Sequence, residues 1–332
     1  MASSLRTHLN IVIGIIISAA AIYLSFRKID FHTLGLSLVS INFFWFIPVV
    51  LVQLCCFALK GLSWRFLLMP ARKGIPLRST TTVLIIGLMV NDIFPAKMGE
   101  LARAYLLGER EKLSKSLCLS TIMVEHLLDI LVLSIFLLIL LPAVALPYWL
   151  RTSGTLVGVV ALGIIVALFL VMRREEKFLK WLERLLILLP DRFRGKVQGI
   201  LNKFLQGFRV INGRYIFYSF ASLFSMWVMV FVVAYLVMAA FGLYLPVYAP
   251  IMVVIFTAFG KIIPSSPGAI GTFHYLVIVV LMAFGIGKEV ALSYAIVLHA
   301  FGVLIEVGLG TILVLTGHLS LSRITHPTEA SP

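Results

Sequence analysis

Four ionisable side chains fall within the twelve residues from Asp92 to Arg103: Asp92, Lys97, Glu100 and Arg103, with Asn91 just ahead of them. They follow an apolar run that stops at Phe94, and Pro95 and Gly99 punctuate them. Proline ends the incoming helix, and glycine frees the backbone for a new one. The open N–H groups at the start of that second helix attract anions. Lys97 stands at this end, while Glu100 and Arg103, spaced i,i+3, can pair with each other. Lys97 and the Gly99 helix terminus are then left net positive, which suits a phosphate. The alternative is a cytoplasmic loop whose charges face water.

A second set, Glu125-His126 with Asp129, lies inside a long apolar stretch. Glu125 and Asp129 are one turn apart and share a helix face, where they repel unless a cation stands between them. Arg103 or Lys97 is the natural partner, and a purely structural ion pair is the alternative reading. A third set runs from Lys261 to His274 and contains Ser265, Ser266, Gly268 and Gly271. It offers hydroxyls, free backbone and one cation, or else is a loop near the outer surface. His299 and Glu306 are two turns apart and can share a face, as a relay or as satisfied interior groups. Lys97, Glu100, Arg103, Glu125 and Asp129 are expected to form one connected polar network. With two cations against three acids, that network needs a proton or a further cation. No HExxH, GxSxG or Walker sequence is present, so neither hydrolytic nor metal chemistry is indicated and no cofactor is expected. The chain is not expected to be an enzyme or to hold an ATPase domain.

The elements that must carry these groups are set by the solvent. Of 332 residues, 61% are hydrophobic and 13% charged, and the mean hydropathy is +1.07. A soluble domain carries about 25% charge, so lipid is the solvent that fits. A net charge of +14 would suit nucleic acid, but the Lys and Arg sit in short stretches between apolar helices, where anionic lipid headgroups explain them. Cys55, Cys56 and Cys118 form no CxxC pair and lie in or beside apolar segments, which suggests plain packing.

Six runs are long enough to span, since about 20 helical residues cross the hydrocarbon: Leu9–Phe26, Phe43–Leu59, Ser116–Leu141, Thr155–Met172, Tyr215–Phe241 and Val290–Thr316. The first is read as an uncleaved span, because its alanines fall within the apolar run. Two further segments break at Pro/Gly, Thr80–Phe94 continuing as Glu100–Gly108 and Ala249–Ile263 continuing as Ala269–Phe284. Irregular backbone at membrane depth survives only inside protein or along a wet cavity. With both breaks treated as re-entrant hairpins and the N-terminus inside, 23 of the 28 Lys and Arg fall on the cytoplasmic side and 4 outside. Both termini are then cytoplasmic. Each half reads span, span, broken hairpin, span, and Pro95 and Gly99 match Pro264 and Gly268 in an oppositely oriented copy. Residues 1–141 form the first inverted repeat and 142–316 the second, with a cytoplasmic tail at 317–332. The fold expected is an all-α polytopic membrane helix bundle, six spanning helices plus two re-entrant hairpins in an inverted 3+3-type repeat. Within the long connection 173–214, Glu175–Leu189 reads as an interfacial amphipathic helix, or as a linker helix packed on the bundle.

Three motifs in order, Asn91-x-x-x-Pro95-x-Lys97-x-Gly99-Glu100-x-x-Arg103, Glu125-His126-x-x-Asp129 and Pro264-x-x-Pro267-Gly268-x-x-Gly271, resemble the lysylphosphatidylglycerol synthase transmembrane-region family, also called flippase-like domain proteins. The resemblance covers nearly the whole chain. It implies the lipid-flipping half of such synthases without the aminoacyl-transferring half. Family members often carry Arg in place of Lys97 and His126, and an acid in place of His274. The first change is mild for a point charge and less so for a bidentate clamp. The last puts a proton-coupled role of the second hairpin in doubt.

The leading expectation is a translocase for a phosphate-bearing lipid in the cytoplasmic membrane, either a phospholipid or a polyprenyl-phosphate-linked glycolipid. Asn91, Asp92, Lys97, Gly99, Glu100, Arg103, Glu125, His126, Asp129, Lys261, Ser265, Ser266, Gly268, Gly271 and His274 would form its substrate site. The partners expected are membrane lipids with anionic headgroups, with proton or ion coupling and a homodimer left open, and no nucleic acid. The rivals are a small-solute or ion transporter of the same architecture and a non-transporting scaffold for an envelope-lipid pathway.

Overall fold

The computed structural model describes residues 14, 16–94, 97–144, 148–173, 213–261 and 266–317. The described backbone is helical throughout apart from turns and connections. Its elements are α1 (Ile16–Phe26), α2 (Phe31–Val39), α3 (Phe46–Leu68, led in by a 3₁₀ turn at Phe43–Trp45), α4 (Leu77–Ile93), α5 (Met98–Glu111), α6 (Lys115–Leu140), α7 (Tyr148–Arg173), α8 (Gly213–Ala240), α9 (Tyr248–Gly260), α10 (Thr272–Ala283) and α11 (Lys288–Thr316). Four stretches among the described residues are long and apolar enough to cross a membrane: Phe43–Leu68, Lys115–Leu140, Gly213–Ala240 and Lys288–Thr316. The chain is therefore a multi-pass membrane helix bundle. Of the other two expected spans, the described part of the first is α1, and Thr155–Met172 lies within α7. The amphipathic segment Glu175–Leu189 lies outside the described residues.

Both Pro/Gly interruptions are real breaks between helices. α4 ends at Ile93, and α5 starts again from Lys97, which takes the left-handed conformation at φ 53°. α9 ends at Gly260, and Gly268 and Gly271, at φ 65° and 92°, carry the chain into α10. In each case the two short helices fold back and pack on each other. The first hairpin closes at backbone contact, because a Cβ on Gly99 would overlap the Gly87 carbonyl oxygen and the Asn91 side chain. Small residues at such a crossing let helix backbones approach where lipid supplies no hydrophobic drive.

The packing pattern repeats between halves. α3 packs on α4, α4 on α5, α5 on α6, and α6 on α3; α8 packs on α9, α9 on α10, α10 on α11, and α11 on α8. Across the halves, α3 lies along α8, α4 along α11 and α6 against α9. A cluster around Val237, Ile255, Val277 and Tyr294 fills the centre of the second half and reaches Val49 and Leu137 of the first, and another around Trp64, Ile86, Leu107 and Ile122 fills the first. α1 is fastened to the second half at both ends. Ser18 Oγ accepts from the Ser266 N–H at 2.8 Å, and Lys288 Nζ donates to the carbonyls of Leu24 and Arg27 at 2.9 and 2.6 Å. A Cβ on Gly271 would meet the Ser18 carbonyl oxygen at 2.6 Å, so α1 also sits directly on the second break.

Candidate functional site

A cavity of about 430 Å³ lies between the halves and receives polar groups from both. Its wall is otherwise apolar, formed by residues such as Phe57, Leu133, Val230, Phe259 and Leu298.

One end of the cavity is a closed ring of charge. Arg103 on α5 donates from Nη2 to Glu125 Oε2 at 2.8 Å and from Nη1 to Glu100 Oε2 at 3.2 Å. Its side chain is 1% exposed, Glu125 is fully buried, and the Arg103 guanidinium stacks over Trp64 at 4.4 Å. Lys60 on α3 donates to Asp129 Oδ2 at 2.7 Å and lies 3.4 Å from Glu125 Oε1. His126 closes the ring, 3.3 Å from Glu100 and 3.7 Å from Asp129. Trp227 on α8 donates to Asp129 Oδ1 at 2.9 Å, which ties the ring to the second half. Burying charges is tolerable only when each has a partner, and here each carboxylate has at least one cation or imidazole.

Four of the five residues expected in one network therefore meet: Glu100, Arg103, Glu125 and Asp129. Lys97 does not. It is exposed and lines the cavity, and among the described residues no hydrogen bond or ion pair reaches its side chain. Asn91 is a bracket within the first hairpin. Its Oδ1 accepts the Gly99 N–H at 2.8 Å and its Nδ2 donates to Glu100 Oε1 at 3.2 Å. One of the open N–H groups at the start of α5 is thereby already occupied, so the anion-attracting terminus is narrower than the sequence implies.

The other end of the cavity holds Asp92, Lys261, His299 and Glu306. The Asp92 and Glu306 carboxyls are close neighbours on the cavity wall, with Lys261 as the nearby cation. Gly268 touches this end. A Cβ on Gly268 would stand 3.8 Å from the Asp92 carbonyl oxygen and 4.0 Å from His299 Nε2. The two breaks thus approach each other. His274 lies behind this end, edge-on to the His299 ring at 5.0 Å, while Phe273 stacks on His299 at 4.8 Å. Ser266 is engaged with Ser18 and with the Ile270 carbonyl, and Gly271 packs on α1. Ser265, Pro95 and Pro264 lie outside the described residues.

Lys60, Trp227 and the pairing of Glu306 with Asp92 were not read from the sequence. Lys60 was placed in a cytoplasmic stretch after Leu59, but α3 continues to Leu68 and carries Lys60 into the bundle. A signal for it did exist: the expected network held more acids than cations, and Gly61–Leu68 resumes the apolar run. The same correction applies to the charge count, because Lys60 and Arg103 are interior ion-pair partners and not loop charges.

A membrane protein of Methanothermobacter thermautotrophicus, described as UPF0104 membrane protein, is 23% identical over 264 residues, covering 75% of this chain and 78% of that protein. No solved structure matches. The model of the lysylphosphatidylglycerol synthase TM region matches residues 11–310, nearly the full length and including both broken hairpins and the charged ring, so the chain belongs to the lysylphosphatidylglycerol synthase transmembrane-region family.

Proposed function

We propose that the protein is a translocase for a phosphate-bearing lipid of the cytoplasmic membrane. The observation that carries this reading is the cavity, in which Lys97, a cation with no side-chain partner among the described residues, stands near a largely apolar wall and a buried ring of paired charge. An anionic headgroup would take Lys97 as its first contact and exchange with Glu100 or Glu125 for the Arg103 guanidinium. The apolar wall would accept the start of the acyl or prenyl chain. Lys60 continues to hold Glu125 and Asp129 while Arg103 changes partner.

The two helical breaks are read as re-entrant hairpins within an inverted repeat. The matching packing order of α3–α6 and α8–α11 supports this, as does the excess of Lys and Arg in the stretches assigned to the cytoplasm. Alternating access would come from rocking one half on the other around the cavity. A sealed, dry bundle would have favoured the scaffold; a 430 Å³ cavity lined by a cation that has no partner among the described residues favours transport.

The test is fluorescent phosphatidylglycerol in proteoliposomes, with dithionite quenching of the outer leaflet. The wild type should expose inner-leaflet lipid to the quencher, and Lys97→Ala should lose at least about tenfold in rate, the equivalent of about 1.4 kcal/mol. Equal rates in wild-type, Lys97→Ala and empty vesicles would remove the translocase reading for this lipid.

A further inference from the structure

The cavity has a second polar end that the headgroup does not need. Asp92 closes α4 at the first break, and Glu306 projects from α11, the helix packed along α4. Both carboxyls line the same cavity, and they are close enough to interact directly, one turn along from where Met89 meets Gly310. Two ionised carboxylates this close beside a single ammonium repel, and one proton held between them relieves that repulsion. Asp92 Oδ2 is shut off from solvent and, among the described residues, has no hydrogen-bond partner.

We propose that Asp92 and Glu306 hold one exchangeable proton between them and form the site that couples translocation to the proton gradient. The coupling part of this rests on the translocase reading; the shared proton does not. The surroundings favour a proton over a metal cation. Lys261, at the end of α9, already supplies a positive charge next to the pair, and Lys60 on α3 adds a second, more distant one. The other titratable groups facing this end are His299 on α11 and, behind it, His274 on α10. Among the described residues no cluster of His, Cys, Asp and Glu converges as a metal site.

The pair also sits where a proton would have mechanical effect. It joins the end of α4 to α11, while the Asp92 carbonyl lies against Gly268 of the second break. Further along the same helices, Met89 packs directly on Gly310 and accepts from Thr311 Oγ1 at 3.6 Å. With the proton bound, α4 and α11 are bridged at both places. Releasing it leaves two carboxylates that repel across the helix pair with one adjacent ammonium between them, and the bridge at the break is lost. The proton goes to water in the cavity, and no other bond changes.

Difference infrared spectroscopy on the purified full-length protein tests the shared proton without any lipid movement. The wild type should show a protonated-carboxyl C=O band at neutral pH that vanishes on titration to high pH, and Asp92→Asn and Glu306→Gln should each lose it. No such band in the wild type, or its persistence in both variants, would overturn the pair. Coupling is read separately in vesicles of phosphatidylethanolamine and phosphatidylglycerol carrying fluorescent phosphatidylglycerol. The wild-type rate should change with the direction of an imposed pH gradient, and both variants should lose that dependence. A wild-type rate indifferent to pH but driven by a sodium gradient would overturn the proton in favour of a metal ion. A titrating band in a protein that moves no lipid would leave the shared proton standing and remove the translocase reading.

Discussion

Arg103 Nη2 lies 2.8 Å from Glu125 Oε2, across α5 and α6, and neither side chain is more than 1% exposed. A charge pair this deep is held by mutual dependence: each group is costly alone, and the pair is close to neutral as a unit. Arg103→Ala should therefore destabilise the detergent-solubilised protein by about 3–5 kcal/mol. The double variant Arg103→Met, Glu125→Leu should cost clearly less than the sum of its single changes. Thermal unfolding followed by size-exclusion fluorescence gives both numbers, and simple additivity would mean that the pair is not coupled.

Lys97 and Arg103 should separate in the same measurement. Lys97 is exposed at the cavity mouth, and Lys97→Ala should leave stability within about 0.5 kcal/mol of wild type. A large loss of stability in Lys97→Ala would place it in the structural ring and not in the headgroup contact.

Lys60 is a cation shared by Glu125 and Asp129. Lys60→Met should leave two acids short of a partner and cost about 3–5 kcal/mol. Combining it with Asp129→Asn should recover part of that loss. Failure of the second change to help would argue that Asp129 draws its compensation from His126 and Trp227 alone.

The first hairpin depends on Gly99. An alanine there would overlap the Gly87 carbonyl oxygen, with no flexible atom to give way, so Gly99→Ala should cost about 1–3 kcal/mol. Gly35, with nothing near its Cβ position, is the control, and Gly35→Ala should be silent or slightly stabilising in the same unfolding assay.

Sidedness is tested by single cysteines in a cysteine-free background. Ala71→Cys before α4 and Ser114→Cys after α5 are both exposed, and a membrane-impermeant maleimide should label both from the cytoplasmic side only. Labelling from opposite sides would make α4 and α5 a crossing segment and end the re-entrant reading.

The solvent, the helical class and the positions of the two breaks follow from the sequence by itself. Apolar runs of spanning length admit only helices in lipid, because every backbone group must be satisfied within its own segment. Proline and glycine at 95, 99, 264 and 268 mark where such helices stop. The cost of charge in lipid also singled out Arg103, Glu125 and Asp129 as groups that need partners. Which partners they find was decided by the tertiary structure. On α3, Ile47, Leu51 and Leu54 face outward while Val49, Cys56 and Phe57 are buried, and the two sets are chemically alike. In lipid the outside is as apolar as the inside, so hydrophobic periodicity does not record which face turns inward. Helix rotation and crossing do, and they bring Lys60 onto Asp129, 69 residues away in the chain, and Glu306 beside Asp92, while Lys97 lines the cavity with no side-chain partner among the described residues.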